Sequence, residues 1–150
     1  LQLADLPFME AISAAALCAI GDFDQQGLAN TSWAFAKLGC LDFPLLNAIA
    51  GASILCISQF DGQHLSNMAW AFALLAVVND PLIAAIASEA ECKLEGLGTQ
   101  NCADLLWACG RLGSSASHLK RLEDRLQSAV DRLAGLLLDI TMTTPTTTTA

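Results

Sequence analysis

Three tryptophans, the only ones in the chain, stand at positions 33, 70 and 107, and three residues before each stands a polar side chain, Asn30, Asn67 or Asp104. Residues three apart share a face of an α-helix. Each segment would therefore present one aromatic ring beside one hydrogen-bonding group. Helical-repeat readers of RNA combine these two chemistries, with aromatic stacking on bases and a few edge-reading side chains per repeat. A packing role competes with it. Trp33 with Phe35, Trp70 with Phe72, and Trp107 lie among alanines of their own helices, as an inter-repeat core would. The polar ladder Asn30, Asn67 and Asp104 has its own structural reading, in which each side chain bonds the backbone of the adjacent hairpin, because a buried amide without a partner is costly. Both readings of the ladder stay open.

Other reactive side chains form no pattern. His64 and His118 are the only histidines, and neither stands at a spacing that certifies a nucleophile or an acidic partner. Glu89, Glu91 and Glu95 crowd one helix, where only Glu91 and Glu95 are four apart, and read as solvation. The six cysteines, 18, 40, 56, 92, 102 and 109, contain no CxxC pair and no histidine at ligand spacing. Small buried thiols in a reducing compartment are expected, with neither zinc nor redox chemistry. Gln26, Gln63 and Gln100 also recur and read as first-turn residues. There is no glycine-rich phosphate loop. The sequence points to no enzyme, no catalytic residue, no metal and no cofactor.

Charge weighs against unaided nucleic-acid binding. Of the net −8, residues 1–110 carry −9, with Lys37 and Lys93 their only cations, and residues 111–150 carry +1. Affinity for a phosphate backbone rests on Lys and Arg. The candidates for phosphate contact are Lys120, Arg121, Arg125 and Arg132. Although 54% of residues are hydrophobic, runs such as Ala69 to Val78 are about ten long, where a spanning helix needs roughly twenty. No membrane span is expected.

The elements that position these residues repeat with the tryptophans. Gln26, Gln63 and Gln100, Phe23 and Phe60, and Pro7, Pro44 and Pro81 keep the same 37-residue register, and a period of that size indicates stacked helical hairpins. Proline opens one helix of each pair, at the first turn where its missing N–H costs nothing. The expected helices are about 7–20, 25–38, 44–58, 63–76, 81–95, 100–112 and 117–139. Asp24 and Thr99 stand where they would cap tryptophan helices, Gly39 ends the first of them, and Asp61-Gly62 makes a turn. The last helix carries the apolar stripe Leu119, Leu122, Leu126, Val130, Leu133 and Leu137 beside a broad charged face, as a terminal cap should. The expected fold is all-α, an α-solenoid of about seven helices over 1–139, followed by a Thr-rich tail over 140–150 that cannot pack a core. Nothing comparable guards the first helix. Either the chain belongs to a longer array or that face docks on something else.

The segments Leu28-Ala29-Asn30-Thr31-Ser32-Trp33-Ala34-Phe35-Ala36-Lys37-Leu38 and Leu65-Ser66-Asn67-Met68-Ala69-Trp70-Ala71-Phe72-Ala73-Leu74-Leu75 resemble the signature helix of the heptatricopeptide and octotricopeptide repeat proteins, relatives of the RAP-domain and FAST-kinase-like proteins. The likeness extends over residues 7 to about 138. It implies an α-solenoid in a chloroplast or mitochondrion, acting on organellar RNA or as a structural piece of a large complex. The third copy puts Cys109 where the others have Phe. The preferred expectation is a non-catalytic scaffold that binds protein partners in a multi-subunit organellar assembly, docking through its uncapped N-terminal helix face. The alternative is an RNA-binding module acting in RNA processing or stability.

Overall fold

The computed structural model describes residues 6–112 and 117–142, and all seven long elements among them are α-helices: α1 Leu6–Ala19, α2 Gln25–Leu38, α3 Phe43–Leu55, α4 Gly62–Leu74, α5 Asp80–Cys92, α6 Thr99–Leu112 and α7 Ser117–Met142. Side chains of His118, Leu119, Leu133 and Leu137 lie outside the described set, as do residues 143–150 of the Thr-rich stretch and most of the linker before α7. Helix α7 continues past Asp139, where the tail was expected to begin.

Local chemistry accounts for most helix starts. Asp24 accepts from the Gly27 amide at 2.7 Å, Asp42 from Leu45 at 2.9 Å, and Asn79 from Leu82 at 3.1 Å. Asp61 and His64 close a reciprocal capping box on α4, the Asp61 carboxylate accepting the His64 amide at 2.8 Å while His64 Nδ1 accepts the Asp61 amide. His64 also meets Phe60 edge-on, at 5.9 Å between rings. It is a helix-start residue. Asp24 and Asp61 stand one period apart, as do Asp42 and Asn79, so the caps repeat with the helices. Thr99 does not cap α6; it is the first helical residue, and the Gly98 carbonyl accepts from Cys102.

Ends are shorter than the apolar pattern suggests. Helices α1, α3 and α5 stop early and finish in single 3-10 turns, Ile20–Asp22, Ile57–Gln59 and Leu94–Gly96. These turns deliver Phe23, the fully buried Phe60, and Leu97 into the interior. Helix α4 ends at Leu74, because Ala76 takes a left-handed φ of 55° that no α-helix continues. Its equivalent one period earlier, Gly39, has φ 67°.

Packing sorts the helices by type. Helix α4 lies between α2 and α6, while α1, α3, α5 and α7 follow one another as a second layer, and α2–α3, α4–α5 and α6–α7 join the two. The core runs between the layers through Leu28, Phe35, Ile49, Leu65, Phe72, Leu82, Ile86 and Leu105 and closes on Leu122 and Leu126 of α7. Cys102 and Cys109 take the places of the earlier Leu and Phe, both buried. Burial, with Glu123 adding to it, pushes the Cys109 thiol up to about 11. Among the described residues no helix is long and apolar enough to cross a membrane.

Candidate interaction surface

Each even-numbered helix carries one stripe on the side away from the core. On α2 it is Gln26, Asn30, Trp33 and Lys37; on α4 it is Gln63, Asn67, Trp70 and Leu74; on α6 it is Gln100, Asp104, Trp107 and Arg111. Steps of three and four keep these residues in line along a helix. The 37-residue period then sets the lines side by side.

The rings touch across helices. Trp33 and Trp70 lie 6.5 Å apart between centroids at 34°, and Trp70 and Trp107 lie 6.0 Å apart at 31°. The Lys37 ammonium sits 5.4 Å from the Trp33 ring centre and 5.3 Å from that of Trp70, within cation–π range of both. Its equivalent on α4 is Leu74 and on α6 is Arg111. The row thus has a cation at each end and an aliphatic side chain in the middle.

These positions correct the expectation that the tryptophans form the repeat core. Phe35 and Phe72 are buried, whereas Trp33 is 41% and Trp107 43% exposed, with Trp70 half-buried between them. Trp33 and Phe35, like Trp70 and Phe72, are two residues apart, hence roughly 200° round a helix of 3.6 residues per turn. A helix that buries the Phe turns the Trp outward. The tryptophans do join successive units, but on an open face.

Of the two readings of the polar ladder, the one that bonds each side chain to the adjacent hairpin finds no such bond among the described residues. Asn30 is exposed and Asn67 half-buried, and among the described residues neither side chain hydrogen-bonds to the adjacent hairpin. Asp104 accepts at 3.0 Å from Gln100 of its own helix. Two of the three ladder side chains therefore have free amide groups beside the tryptophans.

The four cations of α7 lie elsewhere, and two are committed. Arg121 donates through Nε and Nη2 to Glu91, each at 2.9 Å, and Arg125 adds a bond at 3.1 Å. Glu91, expected as a solvated residue, is only 8% exposed at its side chain. The Arg121 hydrogen bond, together with Arg125, holds its carboxyl below the ordinary value of 4.5 despite burial. Arg132 donates to the Ser128 carbonyl, and Lys120 is exposed. Lys93 bonds the Ser58 and Phe60 carbonyls and pairs with Glu89 at 2.9 Å. These groups fasten α7 to α5 and α5 to the turn before α4. The sequence did not signal the Glu91 clamp, because its partners are 30 and 34 residues away; Lys37 was also missed, and its signal is the spacing of four from Trp33.

Among the described residues no three His, Cys, Asp or Glu side chains gather where they could hold a metal. No protein-family model, curated protein or solved structure matches the chain.

Proposed function

We propose that this chain is a non-catalytic helical-repeat scaffold, an α-solenoid with a 37-residue unit, that holds an extended segment of a protein partner across the face of α2, α4 and α6. The tryptophan row carries this reading: three rings, one per unit, with Trp70 in contact with both Trp33 and Trp107 on the open side of the layer. Large aromatic rings flanked by amides are the usual makings of a protein-binding surface. A partner's apolar side chains would rest on the indole edges while its backbone bonds the amides of Asn30 and Asn67. The resemblance carried by the repeat helices supports a chloroplast or mitochondrial assembly as its setting.

Geometry favours this over RNA reading. The rings already stack on one another at direct aromatic-contact distance, which leaves no slot between them for a base. Lys37 is engaged with the rings, Asp104 would repel phosphate, and Arg121 and Arg125 are paired with Glu91. With −9 over residues 1–110, little remains to neutralise a nucleic-acid backbone.

The test is selection of a random peptide library on the purified chain, followed by binding of the recovered peptides to Trp107→Ala and Asn67→Ala. Both variants should keep their helical circular dichroism and lose the peptides. Peptides that bind the variants as well as the parent would end this reading. Tight binding of pooled organellar RNA that collapses between about 50 and 200 mM salt would replace it with the RNA one.

A further inference from the structure

Helix α1 has a second open strip, independent of the tryptophan face. Phe8, Ala11, Ile12 and Ala15 fall at i, i+3, i+4 and i+7 and are all exposed, Phe8 by 62% and Ile12 by 37%. Met9, Ser13 and Ala16 bury the other side of the helix, and Ser13 donates to Asp42 at 2.5 Å. The only charged side chain of α1, Glu10, stands off the strip. A helix this apolar all round is normally covered on both sides.

We infer that α1 pairs with α1 of a second copy, antiparallel, about a two-fold axis that passes between residues 11 and 12. In that register Phe8 lies over Ala15 of the second copy and Ile12 over Ala11. Both large side chains meet small ones, as close helix packing requires. Every large residue on the strip finds its complement on the same strip, which is the condition for an isologous contact. Charge separates this arrangement from end-to-end stacking. The far end of the α1, α3, α5, α7 layer exposes Lys120, Asp124, Asp131 and Arg132, and burying those charges against the uncharged strip would desolvate them with no opposite charge on the strip to offset the cost. The contact therefore closes as a dimer and does not propagate as a fibre. It would set two tryptophan rows in one particle.

Sedimentation of the whole chain over a wide concentration range tests the pairing, with Ile12→Glu and Ala15→Glu as variants whose outward side chains leave the fold intact. The parent should dimerise with rising concentration. Both variants should remain monomeric with unchanged circular dichroism. The register has its own test in a Cys18→Ser, Cys92→Ser background, where the Ala11→Cys variant should be joined across the dimer by a short bis-maleimide. In the parent chain Cys18 should not be so joined, because the axis sets the two Cys18 residues 13 positions apart in level, about 20 Å at 1.5 Å per residue. A chain that stays monomeric throughout, charge variants that still dimerise, or a parent chain that links through Cys18 more readily than the Ala11→Cys variant links at position 11 each overturns the inference.

Discussion

The left-handed residues that follow α2 and α4 offer a test in which two substitutions should act with opposite signs. Gly39 and Ala76 occupy the same place in successive units, with φ 67° and 55°. Their hydrogen bonds match as well: Gly39 and Cys40 donate to the carbonyls of Ala36 and Phe35, and Ala76 and Val77 to those of Ala73 and Phe72. This is the glycine-type helix stop, with alanine in its second occurrence. A left-handed conformation costs an L-residue roughly 1–2 kcal/mol, and glycine returns about 0.4–1 kcal/mol of that through its greater freedom in the unfolded chain. Ala76 is exposed, so its methyl group gives up little packing. Ala76→Gly should then stabilise by about 0.5–1 kcal/mol net, raising the melting temperature by about 1–4 °C for a chain of this size. At Gly39 an added Cβ would meet no atom within 4 Å, so only the dihedral cost remains, and Gly39→Ala should destabilise by a similar amount. Urea titration monitored by circular dichroism measures both. If Ala76→Gly were neutral or destabilising while Gly39→Ala cost nothing, the stop would not be strained and the reasoning would fail.

Other consequences are as direct. Phe72→Ala removes a side chain that is 1% exposed and should cost about 3–5 kcal/mol, while Trp33→Ala, on the open face, should cost clearly less; equal losses in chemical denaturation would restore the tryptophan to the core. Ser53 is buried in α3 with its hydroxyl lacking a hydrogen-bond partner among the described residues, so Ser53→Ala should stabilise by about 1 kcal/mol, and a loss of that size would reveal a partner. The Glu91 carboxyl is lowered in the folded chain, so its contribution is complete above 4.5 and is lost as pH falls through the folded value. Limited proteolysis should therefore release α7 first on acidification, and Glu91→Gln should abolish that pH dependence. Cys18 and Cys92 are exposed whereas Cys102 and Cys109 are buried with raised thiols, so the first pair should react with a thiol reagent in the native chain and the second only on unfolding.

The elements were legible because their signals are local and periodic. The capping carboxylate at 24, the Asp61-Gly62 turn, prolines at 7, 44 and 81, and one tryptophan per 37 residues state where helices begin and how often the pattern recurs. Boundaries were overextended wherever an apolar run continued through a 3-10 turn, as at Ile57, because apolar character does not distinguish the two helix types. Composition alone determined the scarcity of cations, and with it the poor match to phosphate. What only the tertiary structure decided is which side of each helix faces in. Trp33 and Phe35 are both large and apolar, and nothing local ranks them; the second layer of helices covers Phe35 and leaves Trp33 to stack on Trp70. Glu91 likewise changed from a solvated residue to a clamp once α7 brought Arg121 and Arg125 beside it. Burial and ion pairing depend on chain segments far apart in sequence, so they are settled by packing and not by spacing.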